Sequence, residues 1–177
     1  MILARVRELR TGDPDSDRTD VGPLIDDAAA KRAEGLVQAA VRDGATLLCG
    51  GERHGRICSP AVVTGTSPGM RIEDEEAFAP LITVNPYRTF NEALERANTS
   101  AYGLQLGVFT NDINRVMTAF ERGRVGGVVI NDIPGFRADH MPYGGVKGSG
   151  TGKEGPRYAI RELTEEKLLV IKRTKEA

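Results

Sequence analysis

The chain has 177 residues, enough for one domain with its own core and hardly for two. Hydrophobic residues make up 40% and charged residues 28%, ordinary for a soluble globular protein, and 24 basic against 25 acidic side chains leave a formal charge of −1. That balance excludes an electrostatic footprint for nucleic acid or an anionic membrane, and no apolar run approaches the length that spans a bilayer. Charged residues among the first ten break up any secretory signal core. Cys49 and Cys58 make no disulfide framework, and with His54 and His140 they give no zinc spacing. A reduced, cytoplasmic, metal-free domain is expected.

Along the chain, Met1 to Arg10 reads as the tail of an amphipathic helix, with Ile2, Val6 and Leu9 on one side and no capping residue ahead of it. Thr11-Gly12-Asp13-Pro14 stops it. The spacing of Ala29, Ala33, Leu36, Val37 and Ala40 predicts a helix over 26–42 with one apolar stripe, ended at Gly44. Residues 45–49 and 60–64 read as short strands around a turn-rich loop. Another strand follows Pro80 and runs to about Pro86. Thr89 and Glu92 then have capping-box spacing, opening a helix that buries Phe90, Leu94 and Ala97. Residues 104–109 read as a strand. Asp112 can cap the next helix, whose Ile113, Val116, Met117 and Phe120 have the spacing of a core face. Residues 126–130 read as a buried strand with Asn131 at its exit, where α/β folds place ligand contacts. A Gly- and Pro-rich loop covers 132–155, and Leu168-Leu169-Val170-Ile171 is an apolar β-run. Helices alternating with β-runs give the fold class: α/β, an open, mainly parallel sheet flanked by helices.

Gly150-Thr151-Gly152-Lys153-Glu154-Gly155 satisfies G-x-G-x-x-G, but no strand precedes it, so these glycines are expected at turn positions rather than around a phosphate. Neither cysteine adjoins a histidine or a helix N-terminus that would activate its thiol, and no G-x-S-x-G elbow is present. The informative segment is Glu75-Glu76-Ala77-Phe78-Ala79-Pro80. A carboxylate is a good acceptor for ribose hydroxyls, and a nearby aromatic can wall a nicotinamide ring.

That segment resembles the Glu-Glu-x-Phe-Gly-Pro signature of the NAD(P)-dependent aldehyde dehydrogenases. The resemblance runs along nearly the whole chain: Val21-Gly22-Pro23-Leu24-Ile25, then Gly50-Gly51, Pro60-Ala61-Val62 and Met70-Arg71-Ile72 follow the family's order. Ala97-Asn98-Thr99-Ser100-Ala101-Tyr102-Gly103-Leu104 is similar to its Ala-Asn-x-x-x-Tyr-Gly-Leu run, and Pro142 to Gly150 matches Pro-[Phe/Tyr]-Gly-Gly-x-Lys-x-Ser-Gly. Ala79 departs from the usual Gly.

The resemblance implies roles. Glu76 would bind the nicotinamide ribose of NAD or NADP, with Phe78 beside the ring; Asn131 would lie near the active-site floor. Phe136 and Tyr143 would line the aldehyde tunnel, their aromatic walls keeping water from a thiohemiacetal. Arg137 and His140 are candidates for a polar or anionic substrate group. The chain reads as a partial catalytic domain (1–155) and a tail (156–177) whose final strand would join a homo-oligomer or other aldehyde dehydrogenase subunits.

The family's nucleophilic Cys, general-base Glu, oxyanion-hole Asn and dinucleotide-binding domain precede the matched region, and the chain reads as starting in the helix after the catalytic Cys. No catalytic residue is therefore assigned. The expectation is a truncated member or split-enzyme half, inactive alone, holding NAD(P) only weakly and meeting a small aldehyde only if completed. The alternative is a non-catalytic oligomerisation or regulatory module.

Overall fold

A carboxylate starts the helix that organises the first half of the chain. Asp26 is extended (φ −151°, ψ 174°) and its side chain accepts from the Ala29 N–H at 2.7 Å, leaving the helix to run from Asp27 to Arg42. In this computed structural model, which describes residues 1–172, the backbone gathers into two units, Met1–Thr89 and the chain from Phe90 onward. In the first unit α1 (Ile2–Glu8) has no side-chain cap and buries none of its residues. The capped helix is α2 (Asp27–Arg42), and it buries Ala30, Ala33, Leu36, Val37 and Ala40, the expected stripe with Ala30 taking the place of the half-buried Ala29.

The strands of this unit are β1 (Thr46–Cys49), β2 (Arg53–His54), β3 (Ile57–Cys58), β4 (Ala61–Thr64) and, after the single turn α3 (Arg71–Asp74), β5 (Leu81–Thr83). β4 is central: it pairs antiparallel with β1, through a bulge between Leu47 and Cys49, and parallel with β5. That position buries Ala61, Val62 and Val63 in succession, where an edge strand would alternate. Val37 and Ala40 of α2 meet Ala45, Ala61, Val63 and Ile72 in one core cluster; Ala30 and Ala33 meet Leu24 and Cys58 in a second. The buried Thr66 is satisfied by Glu73, which accepts from its hydroxyl, and by Asn85, which accepts from its N–H and donates to its oxygen at 2.6 Å.

The second unit contains α4 (Phe90–Thr99), β6 (Tyr102–Gly103), β7 (Gln105–Val108), α5 (Ile113–Arg122), β8 (Gly127–Ile130), β9 (Val146–Lys147) and α6 (Pro156–Leu163). Asp112 caps α5 by accepting from the Asn114 N–H at 2.9 Å. α5 is the crossover between β7 and β8, which pair in parallel from Gln105↔Gly127 to Val108↔Ile130, as a strand–helix–strand connection requires. Two segments far apart in sequence then lock together. Lys147, held at φ 56°, donates to the carbonyls of Asn98 and Ser100 at 3.1 and 2.9 Å, and the Ser149 hydroxyl accepts from the Gly103 N–H at 3.0 Å. Asn98 donates to the Arg122 carbonyl and accepts from the Arg124 N–H, at 2.8 and 2.7 Å. The Ala-Asn and Pro-Tyr-Gly-Gly motifs are thus halves of one structural joint.

The α/β class holds, with two qualifications. Among the described residues, parallel ladders join only β4–β5 and β7–β8, beside one isolated parallel bridge at Thr11–Val21; the remaining ladders are antiparallel, and the strands form four small sheets rather than one. Leu168 to Ile171 form no strand within the chain, and all four side chains are exposed, because a lone strand has no ladder to complete. The core face expected on α5 is also corrected. Ile113, Met117 and Phe120 are 66%, 47% and 70% exposed, Val116 is half-buried, and only Ala119 is fully enclosed. Helical spacing tells which residues share a face and not whether anything covers it.

Candidate functional site

The two adjacent carboxylates of the 75–80 loop are in different situations. Arg71, one turn earlier, grips Glu75 bidentately, Nε to Oε1 at 2.6 Å and Nη2 to Oε2 at 3.1 Å. That hydrogen-bonded fork holds the Glu75 carboxyl below the usual carboxylate range. Glu76 is exposed, and among the described residues its carboxylate has no hydrogen-bond or ion-pair partner. Two residues on, Phe78 stands at φ 44°, a left-handed conformation that costs an L-aromatic roughly 1–2 kcal/mol, and its ring is 76% exposed. The loop thus presents an unpaired acceptor beside an aromatic held outward in a strained backbone. Ala79, where the signature has Gly, is not among the residues with positive φ, so its Cβ adds no backbone strain; it rests partly buried against the Ala30/Ala33 cluster.

Glu76 and Phe78 belong to the first unit; Asn131, Phe136 and Tyr143 belong to the second. Asn131 leaves β8 at φ 57°, in the left-handed region that Asn tolerates. Its N–H donates to the Val108 carbonyl at 2.9 Å and its side-chain oxygen accepts from the Thr110 N–H at 2.8 Å, so it fastens the ends of β7 and β8. Phe136 is 51% exposed, and its carbonyl accepts from Gln105 Nε2 at 3.2 Å. The other polar atom of that side chain, Gln105 Oε1, is buried and has no hydrogen-bond partner among the described residues.

Tyr143 exchanges backbone hydrogen bonds with Glu154, at 3.2 and 2.6 Å. The Arg137 guanidinium lies 4.8 Å over the Tyr143 ring centroid and pairs with Glu154 at 3.0 Å. Arg137 therefore carries a stacked face and one paired edge, while His140 is simply exposed. Gly150, Gly152 and Gly155 all have positive φ, as their reading as turn positions expects. The sequence singled out neither Glu154, Gln105 nor Arg32, whose contacts are long-range and leave no local spacing signal.

Cys58 is buried, its sulfur 3.8 Å from the Ala30 carbonyl, and burial pushes its pKa up, against the lowering effect of Arg53; Cys49 is half-buried at the end of β1. Among the described residues there is no group of three side chains able to hold a metal ion, and no helix long and apolar enough to cross a membrane.

A family model for the aldehyde dehydrogenase family matches residues 1–169. The chain belongs to the aldehyde dehydrogenase family. It is 42% identical over 170 residues to 3-sulfolactaldehyde dehydrogenase from Priestia aryabhattai, a match that covers 96% of this chain and 36% of that protein. Among solved structures it resembles aldehyde dehydrogenase 21 from Physcomitrella patens in complex with the reaction product succinate, at TM-score 0.92 and 41% identity, covering 96% of this chain and 35% of that one. It also resembles glyceraldehyde-3-phosphate dehydrogenase from Methanocaldococcus jannaschii complexed with NADP, at TM-score 0.86 and 39% identity, covering 92% and 35%. The chain thus spans about a third of the length of the aldehyde dehydrogenases it matches.

Proposed function

We propose that these residues supply one wall of the nicotinamide site and part of the aldehyde tunnel of an NAD(P)-dependent aldehyde dehydrogenase, and that the nucleophile comes from residues outside the 177. The observation that carries this reading is the division of labour at 75–76: Arg71 occupies Glu75, leaving Glu76 as the acceptor available to a ligand. Its two oxygens suit the paired hydroxyls of a ribose, and the Phe78 ring offers a flat apolar surface beside them. A nicotinamide cofactor held there would supply the hydride acceptor of the reaction. Phe136 and Tyr143 exclude water from the reacting carbon, and Asn131 lies near the floor of the tunnel.

The substrate class we favour is an aldehyde carrying an anionic group. The relatives named above act on 3-sulfolactaldehyde, hold succinate as product, or are named for glyceraldehyde 3-phosphate. Arg137 pairs through Nη2 with Glu154 and keeps further N–H donors for a sulfonate, carboxylate or phosphate. Residues 156–177 act as a tail in which Leu168 to Ile171 complete a sheet edge of a second subunit, and the assembly works in the cytoplasm.

The test is an assay of NAD(P) reduction with sulfoacetaldehyde, succinic semialdehyde and the neutral butanal. The 177-residue polypeptide alone is expected to show no aldehyde-dependent turnover. A chimera in which it replaces the matching third of the Priestia enzyme turns over and prefers the anionic aldehydes. Turnover by the 177 residues alone would overturn the reading.

A further inference from the structure

We infer that Arg32 is the positioning residue of the cofactor wall: its guanidinium sets where the Glu76 carboxylate and the Phe78 ring stand. The inference rests on the cofactor role of Glu76 proposed above. Residues 75–80 have no regular structure between α3 and β5. The ends of this loop are fixed without Arg32: Glu75 by Arg71, Ala79 by the Leu81 N–H at 2.7 Å, and Pro80 by the Ala61 N–H at 2.8 Å. The middle is different. Among the described residues, the hydrogen bonds to residues 76–78 are two, both from Arg32: Nη1 to the Glu76 carbonyl at 3.1 Å and Nη2 to the Ala77 carbonyl at 2.7 Å.

Three features make this fork suited to positioning. Arg32 precedes Ala33 in the middle of α2, a helix held by the buried Ala30, Ala33 and Leu36, so the donor stands on a rigid element. The planar guanidinium spans two consecutive carbonyls with parallel N–H groups, which fixes the loop's direction as well as its distance; an ammonium cannot do both. It also binds carbonyl oxygens and not the Glu76 carboxylate, so it orders the loop without neutralising the acceptor. The left-handed turn at Phe78 follows directly after the two clamped peptides, and a backbone held in that region needs neighbours that over-determine it.

The functional test uses the chimera described above with Arg32→Met, Arg32→Lys and Glu76→Gln, measuring kcat, KM for NAD(P) and KM for aldehyde separately. Arg32→Met is expected to raise the KM for NAD(P) about tenfold, from the loss of two charge-assisted hydrogen bonds that order the loop, while kcat and the aldehyde KM stay within about twofold. Arg32→Lys recovers part of the loss. A second readout needs no chimera: in the 177-residue chain, Arg32→Met lowers the backbone NMR order parameters of Ala77 and Phe78, whose preceding carbonyls it releases, and leaves those of β4 unchanged. If Glu76→Gln raises the cofactor KM and Arg32→Met does not, the positioning role is wrong and the cofactor reading stands. If Glu76→Gln has no effect, the cofactor reading fails and takes this inference with it. A uniform fall in kcat with order parameters lowered across both α2 and β4 reduces Arg32 to a stability residue and overturns the proposal. Unchanged order parameters at residues 77–78 overturn it as well, whatever the chimera does.

Discussion

Glu76→Gln, in a protein that joins these residues to the rest of the family fold, is expected to raise the KM for NAD(P) about 10- to 100-fold, the range that follows from losing one charged hydrogen-bond acceptor of about 1.5–3 kcal/mol. The amide keeps the size of the side chain and one acceptor oxygen, but replaces the other with donors that a ribose hydroxyl pair cannot satisfy in the same geometry. Glu75→Gln is the internal control. Its carboxylate is already gripped by Arg71 at 2.6 and 3.1 Å and is not available to a ligand, so the cofactor KM is expected to move by no more than about threefold. Steady-state kinetics at saturating aldehyde separates the two. Equal effects from both changes would mean that the loop responds to lost charge in general and that Glu76 has no special contact.

Gly126→Ala carries the largest expected effect on stability. A Cβ at residue 126 falls 1.6 Å from the Gly144 carbonyl oxygen and 2.7 Å from its carbon. Both are backbone atoms of the loop that carries Tyr143, so no side-chain rotation relieves the clash. The segment entering β8 and the Tyr143 loop must separate, at a cost of about 3 kcal/mol or more. Gly35→Ala in α2 makes the opposite case. No atom lies within 4 Å of the added Cβ, and the residue sits in a helix interior, so the change stabilises by roughly 0.5–1 kcal/mol. Urea unfolding of the two variants checks the signs: the midpoint falls for residue 126 and rises for residue 35. A neutral Gly126→Ala would show that the close approach of Gly126, just ahead of β8, to the Gly144 loop is not part of the folded state.

Much of the local structure was legible in the sequence. The stripe on α2 emerged with four of its five residues buried as expected, because a helix with one apolar face has one stable way to lie on a sheet. The cap at Asp112 formed, since the carboxylate satisfies an N–H within its own turn, while Asp26, read as the first residue of its helix, stands outside it as the cap. Legibility failed where burial depends on partners. Ile113, Met117 and Phe120 share a face as their spacing says, yet that face is exposed. The run 168–171 has the composition of a strand, yet among the described residues of this chain it pairs with no other strand. At the candidate site the motif marked Glu76, Phe78 and Tyr143, but the groups that hold them came only from the structure. Arg32 is 44 residues from Glu76, and the Glu154 that braces Tyr143 and Arg137 lies inside a glycine loop read as turns. Contacts at such separations leave no periodicity behind them.

The central claim is that these residues wall the cofactor and the substrate and do not attack the aldehyde. The most direct test is to locate the covalent adduct: quench the chimera during turnover, or alkylate it with iodoacetamide in competition with substrate, and map the modified cysteine by mass spectrometry. The adduct is expected on a cysteine outside the 177 residues, with Cys58 unmodified in the folded protein and alkylation of Cys49 leaving activity intact. A substrate-derived adduct on Cys49 or Cys58 would contradict the account.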